Sequence, residues 1–233
     1  MDKDTATLLT HYLSNYVTEP RKKKINALLE QRTRYVTTVL EDLYQSHNMG
    51  AIFRSCEALG VQDIHCINQR NQLSVNNAIA AGAEKWLDIF QYSDLGTGLS
   101  PLEVCIDSLK KQGYSIVATS PYASIPLEKV SLDTKIALFF GTELDGLTQE
   151  AVDSADQLVA LPMYGFTESF NVSVSVALSL YDITTRLRNS SVKWGLTEDE
   201  KVYLKLDWMR NSVENASALE RRFFQEHKEL EKN

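Results

Sequence analysis

Between Val36 and Met163 the chain switches repeatedly between short β-branched or aromatic runs and helix-length segments. VTTVLEDL (36–43), DIHCIN (63–68), LDIFQY (87–92), YSIVATS (114–120), IALFFG (136–141) and QLVALPM (157–163) have strand length and composition. AIFRSCEALG (51–60) reads as a helix, another begins at Thr148, and Ser100-Pro101-Leu102-Glu103 opens a third that runs to about Gly113. That tetrapeptide is a capping box with proline at the first helical position. Strands that alternate with helices predict an α/β domain with a mostly parallel sheet and helices on both faces. NVSVSVALSLYDITTRL (171–187) is ambiguous: Val172, Val174 and Val176 alternate as in a strand, whereas Val176, Leu180, Ile183 and Leu187 keep helical spacing. Flanking this block, residues 2–34 read as helical, as do a segment capped by Thr197 and Glu200 and another from Ala216 to about His227.

A chain of 233 residues is within the size of one core with helical extensions. No apolar run approaches the roughly 20 residues of a membrane helix, and the N-terminus MDKDTATLLTHYL lacks the apolar stretch of a signal peptide. A soluble, cytoplasmic protein is therefore expected. Cys56, Cys66 and Cys105 form no CxxC pair and the four histidines no HExxH motif, so the thiols read as buried small hydrophobes and no metal is expected.

The net charge of −7 argues against a polyanionic partner, but its distribution is uneven. RKKKINALLEQRTR (21–34) gathers Arg21, Lys22, Lys23, Lys24, Arg32 and Arg34 against the single acid Glu30, and Arg186, Arg188 and Lys193 follow later. Such stripes can neutralise phosphates on an acidic body; a solvated helix face is the competing reading.

Ligands of parallel sheets sit at the carboxyl ends of strands, and three glycine-bearing turns follow strands here. They are Gln45–Gly50, Gly141–Gly146 and Pro162–Asn171. Asn48 is a candidate cap for the helix after the first of them. None of the three is a GxGxxG fingerprint, and Gly96-Thr97-Gly98 follows no strand, so a conventional dinucleotide fold is not supported.

Asn48-Met49-Gly50-Ala51-Ile52-Phe53-Arg54 with Glu57-Ala58-Leu59-Gly60-Val61, Leu138-Phe139-Phe140-Gly141-Thr142-Glu143 with Gly146-Leu147, and Leu161-Pro162-Met163 through Ser169-Phe170-Asn171-Val172-Ser173-Val174 occur in that order. Together they resemble the three motifs of the SpoU branch of the SPOUT RNA methyltransferases, with Phe170 where leucine is usual. The resemblance implies a C-terminal trefoil knot, a homodimer, bound S-adenosylmethionine and ribose 2′-O-methylation of a tRNA or another structured RNA. It makes 171–187 a helix. It also divides the chain into an N-terminal helical RNA-binding extension (1–34), a methyltransferase domain (35–190) and a C-terminal helical extension (191–233). The small extensions imply guanosine 18 of the tRNA D-loop as the target. Alternatives are ribosomal RNA, another tRNA position, or a non-catalytic knotted RNA-binding protein.

By the same resemblance Arg54, Asn48, Glu143, Ser169 and Asn171 are the catalytic set, with Glu143 expected to hold Arg54 or a neighbouring backbone. Thr119, Gly141, Glu143, Leu161, Met163, Ser169, Phe170, Asn171 and Val172 are expected to contact the cofactor. Arg21, Lys22, Lys23, Lys24, Arg186 and Arg188 are expected to contact RNA phosphates. A guanidinium loses its proton only above about pH 12, so Arg54 is a poor base. The role expected of it is to bind the RNA phosphate and the emerging oxyanion, with the proton leaving through phosphate or water.

Overall fold

The computed structural model describes residues 1–43, 45–69, 82–94 and 98–230; Gly96 and Thr97 of the GxG lie outside these. In chain order the elements begin with α1 (Lys3–Ser14), α2 (Glu19–Leu29), β1 (Val36–Glu41), α3 (Ser46–Leu59), β2 (Asp63–Asn68) and β3 (Asp88–Ser93). Then come α4 (Pro101–Lys111), β4 (Tyr114–Thr119), β5 (Ile125–Pro126), β6 (Lys135–Phe140), α5 (Gln149–Asp153) and β7 (Gln157–Ala160). The last three are α6 (Val172–Arg188), α7 (Glu198–Ser212) and α8 (Ala216–Leu230). Residues 33–194 make one unit; residues 1–32 make another with those from Gly195 onward, in which α1 packs on α7 and α8, and α2 on α7.

The sheet is parallel throughout, in the order β3-β2-β1-β6-β4-β7-β5. Side chains alternate across it, as the pleat requires. Leu40, Leu138 and Phe140 face a core shared with Ile52 and Phe53 of α3 and Val176, Leu180 and Ile183 of α6. Val39, Ala137 and Phe139 face the other core, closed by Leu102, Cys105 and Leu109 of α4. Each such Leu, Ile or Phe contributes on the order of 1.5–3 kcal/mol by leaving water. All three cysteines are buried and in no disulfide. No helix among the described residues is long and apolar enough to cross a membrane.

Three local expectations change. The segment 2–34 is two helices, because Pro20 is tolerated only in a first turn and forces the chain to stop and restart. The first glycine-bearing turn is already helical: α3 begins at Ser46 with Gln45 as its N-cap, so Asn48 lies inside the helix and does not cap it. β7 ends at Ala160, which leaves Leu161, Pro162 and Met163 in the loop beyond it. The two capping boxes form as read. Glu103 N–H donates to Ser100 Oγ at 3.1 Å while Ser100 N–H donates to Glu103 at 2.8 Å, and Thr197 and Glu200 repeat the exchange. The segment 171–187 resolves as helix α6, because Val172 and Val176 are buried while Val174 between them is 42% exposed.

Burial also fixes a pH response. His65 on β2 is 3% exposed, stacked on Phe90 and Tyr92 of β3, with Nδ1 2.9 Å from the Tyr92 hydroxyl. Loss of solvent pushes its pKa down to about 4. An unfolded histidine takes up its proton near pH 6.5, so the stability due to neutral His65 is full above that value and is lost as pH falls towards 4. The expected loss is about 3 kcal/mol between pH 7 and pH 4, read from urea unfolding at both. His65→Phe should flatten this dependence; an unchanged slope would refute the assignment.

Candidate active site

Parallel strands place all their carboxyl ends along one edge, and the three motif segments leave the sheet there. α3 follows β1, the Gly141–Leu147 loop follows β6, and the 161–171 loop follows β7. Chain order reverses direction across the sheet between β1 and β6, the kind of switch point where such sheets bind ligands.

One polar side chain from each segment meets the other two. Glu143 Oε1 accepts from Asn48 Nδ2 at 3.1 Å and also from Asn171 Nδ2. Asn171 Nδ2 also donates to Asn48 Oδ1 at 3.1 Å, and Asn48 Nδ2 donates to Gln45 Oε1 at 2.9 Å. Asn171 serves α6 as well, its Oδ1 accepting from Ser173 N–H at 2.9 Å as the N-cap. The ring orders three loops at once, because each member is held by partners from other segments. Glu143 holds Asn48 and Asn171, and Arg54 is not among its partners. Arg54 lies six residues beyond Asn48, about 120° round the helix from it by helical periodicity. It is exposed and makes no hydrogen bond or ion pair among the described residues.

Beside the ring is a cavity of about 320 Å³, continuous in its lining with a smaller one of about 70 Å³. Of the residues expected at a cofactor, Thr119, Gly141, Glu143, Ser169, Phe170 and Val172 line the first. Leu161 and Met163 line the second, and Asn171 lines neither. The loop from 141 to 147 is closed on itself: Thr142 and Gly146 exchange backbone hydrogen bonds of 3.0 Å each. The walls carry three carboxylates, Glu143, Asp145 and Glu168, and no lysine or arginine among the described residues. Such a cavity repels phosphates and favours a cation set against apolar surface.

The sequence reading missed Asp145, Glu168 and the Ser120-Pro121-Tyr122 turn. Tyr122 donates its hydroxyl to Glu168 at 3.2 Å, joining the turn after β4 to the loop after β7. Their signal was positional: Ser-Pro-Tyr directly follows a strand that ends at this same edge.

The expected RNA-binding cations are divided between the two units. Arg21, Lys22, Lys23 and Lys24 lie on α2; Lys23 and Lys24 are exposed, and Lys22 pairs with Glu19. Arg186 is engaged by Asp182 and by the Val130 and Leu127 carbonyls, and Arg188 donates to Leu59 O at 2.8 Å and stacks over Trp194. The other basic residues of the 21–34 run are structural. Arg32 is buried against Trp208, and Arg34 bridges Asp63 and Asp88 at 2.6 and 2.5 Å.

A tRNA (guanosine(18)-2′-O)-methyltransferase of Borreliella burgdorferi is 42% identical to this chain over 89% of it and 93% of the relative. The enzyme of the same name from Thermus thermophilus is 30% identical over 83% and 97%. Among solved structures, the Aquifex aeolicus TrmH/SpoU tRNA modifying enzyme superposes with a TM-score of 0.72 at 27% identity, covering 84% of this chain and 98% of its own. The SpoU methyltransferase AviRb of Streptomyces viridochromogenes, solved with AdoMet, shares the fold at 18% identity and a TM-score of 0.59, over 68% of this chain and 63% of its own. Residues 35–181, from the start of β1 to the middle of α6 and so including all three members of the ring, match the SpoU rRNA Methylase family, and the chain belongs to it.

Proposed function

We propose that this chain transfers the methyl group of S-adenosylmethionine to the 2′-hydroxyl of a ribose in structured RNA, and that guanosine 18 of the tRNA D-loop is its nucleotide. The observation that carries the reading is the Asn48–Glu143–Asn171 ring, which joins the three segments beside a cation-favouring cavity. The relatives with long, nearly full-length matches carry that activity in their names.

The cavity fits the cofactor by its chemistry. Glu143, Asp145 and Glu168 suit a ligand with a sulfonium and an ammonium, while Phe140, Leu161 and Met163 offer apolar surface to a purine. When bound, the cofactor supplies an already activated methyl group with a neutral leaving group. What remains for the protein is to orient the ribose oxygen and help its proton away. In this reading Ser169 and Asn171 face the ribose, Glu143 holds Asn48 and Asn171 in place, and Arg54 neutralises the RNA phosphate and the developing oxyanion.

The proposal includes the trefoil knot and a homodimer. Val174, Leu178 and Tyr181 form an exposed apolar stripe at i, i+4 and i+7 on α6, a surface suited to a second copy of the chain. Residues 35–190 form the catalytic domain in this reading, and the helical segments 1–34 and 191–233 flank it. Arg21, Lys22, Lys23 and Lys24, with Arg186 and Arg188, meet RNA phosphates, and the protein works in the cytoplasm.

Incubation with labelled cofactor and total tRNA, followed by mapping of the methylated nucleoside, tests the whole reading. Label in 2′-O-methylguanosine at position 18 supports it. Label confined to ribosomal RNA or another tRNA position corrects the substrate, and no label with no binding of S-adenosylhomocysteine leaves a non-catalytic RNA-binding protein.

Removing one member of the ring separates turnover from folding. Asn171→Ala deletes the donor to Glu143 and Asn48 and also the cap of α6, so stability should fall by about 1 kcal/mol. Turnover should fall further, on the order of tenfold to a hundredfold, and Glu143→Ala should match it with a smaller change in melting temperature. Wild-type turnover in either variant, measured at saturating substrates, would remove both residues from the site.

A further inference from the structure

Glu41 is a buried acid to which the proposed chemistry gives no part. Glu41 ends β1 and is 1% exposed, although an acid in that position is costly to bury unless its oxygens are fully hydrogen-bonded. Both oxygens are engaged by a single residue. Oε2 accepts from Thr148 N–H at 2.8 Å and Oε1 from the Thr148 hydroxyl at 2.7 Å. The one hydroxyl proton is thereby committed to Glu41. The hydroxyl oxygen is left to accept from Ala151 N–H, which it does at 3.2 Å as the cap of α5.

The register shows what this clamp holds. Leu40 pairs with Phe140, so β1 delivers Glu41 to the place where β6 gives way to Gly141. The loop from Gly141 to Leu147 is then fixed at both ends, by the sheet before it and by Glu41 through Thr148 after it. That loop supplies Glu143 to the ring and one whole wall of the cavity. If only the cap of a five-residue helix were needed, Thr148 alone would suffice and an apolar residue at 41 would bury at lower cost.

We infer that Glu41 is a positioning residue: its two-oxygen grip on Thr148 sets the loop that walls the cofactor cavity, and so sets cofactor affinity without touching the reacting atoms. The identity of that cofactor rests on the methyltransferase reading above. Glu41→Gln keeps an acceptor for Thr148 N–H but turns an NH₂ towards a hydroxyl that already accepts from Ala151. Thr148→Val keeps the amide and loses the hydroxyl, and Thr148→Ser keeps both.

Calorimetric titration of the full chain with S-adenosylhomocysteine, with turnover at saturating cofactor alongside, tests this. Glu41→Gln and Thr148→Val are each expected to weaken binding about tenfold, the worth of one well-placed hydrogen bond, with kcat within about threefold of wild type. Thr148→Ser should bind within about twofold of wild type. The Glu41→Gln/Thr148→Val pair should be little worse than either single change, because both break one clamp. Wild-type affinity in both single variants, fully additive losses, a Thr148→Ser variant as weak as Thr148→Val, or a fall in kcat with affinity intact would each overturn the inference. If Glu41→Gln does not fold, the two Thr148 variants decide. Wild-type protein that fails to bind S-adenosylhomocysteine overturns the methyltransferase reading and this inference together; wild-type binding with unaltered variants overturns this inference alone.

Discussion

Arg54→Lys should reduce single-turnover methyl transfer on the order of 10²–10³-fold and leave both the melting temperature and S-adenosylhomocysteine affinity at wild-type values. The clean separation is expected because Arg54 is exposed on α3 and has no hydrogen bond or ion pair among the described residues. No hydrogen bond or ion pair among the described residues depends on its guanidinium, so a loss on substitution without loss of stability belongs to a partner the free protein lacks. Lysine keeps the charge and removes the planar fork, which distinguishes a general need for positive potential from paired contacts to phosphate and oxyanion. Raising the pH to 9 should not rescue the variant, since neither side chain is assigned as the base. Full activity in Arg54→Lys would make the specific guanidinium role untenable. A parallel drop in melting temperature would show that the residue supports α3 instead.

The isolation of Arg54 also shows how far the sequence could be read. Segments whose periodicity was one-sided were legible, and both capping boxes formed the reciprocal bonds that their spacing dictates. The 171–187 segment was not decidable locally, because Val172, Val174 and Val176 satisfy two periods; packing decided it by burying the first and third and exposing the second. β5 was invisible as a two-residue strand, held by pairing with β7 more than by any pattern of its own. At the candidate site, Asn48, Glu143 and Asn171 are expected from the sequence, but their mutual bonding is not. Residues 48 and 171 are 123 apart in sequence, and only sheet order brings them together. Asn48 was misplaced as a cap because nothing local marks Ser46-His47 as the first turn of α3. The basic run 21–34 misled in part for a similar reason: Arg32 and Arg34 look like their neighbours in sequence, yet one is buried against Trp208 and the other neutralises two adjacent strand-start aspartates.

Gly141→Ala should be a severely damaging single-carbon change, and its comparison with Gly146→Ala isolates the reason. A Cβ on residue 141 would lie 2.0 Å from the Gly146 carbonyl carbon, 2.1 Å from its oxygen and 2.2 Å from Leu147 N. All three are backbone atoms, which cannot rotate away as a side chain would. The Thr142–Gly146 closure must therefore open, and Glu143 and the cavity wall go with it. Overpacking of this kind costs about 1–3 kcal/mol in stability. The larger consequence is functional: cofactor binding should fall below detection by calorimetry, and methyl transfer by more than about a hundredfold. Gly146 is the opposite case. Its φ of +69° is unfavourable for alanine, but a Cβ there meets nothing within 4 Å. Gly146→Ala should therefore cost only about 1–2 kcal/mol of backbone strain, with cofactor still bound. If the two variants lost affinity equally, conformational freedom of the loop would be its essential property, and the close approach of residues 141 and 146 would lose its explanatory role. If Gly141→Ala bound cofactor normally, the closed loop could not be the wall that grips the ligand.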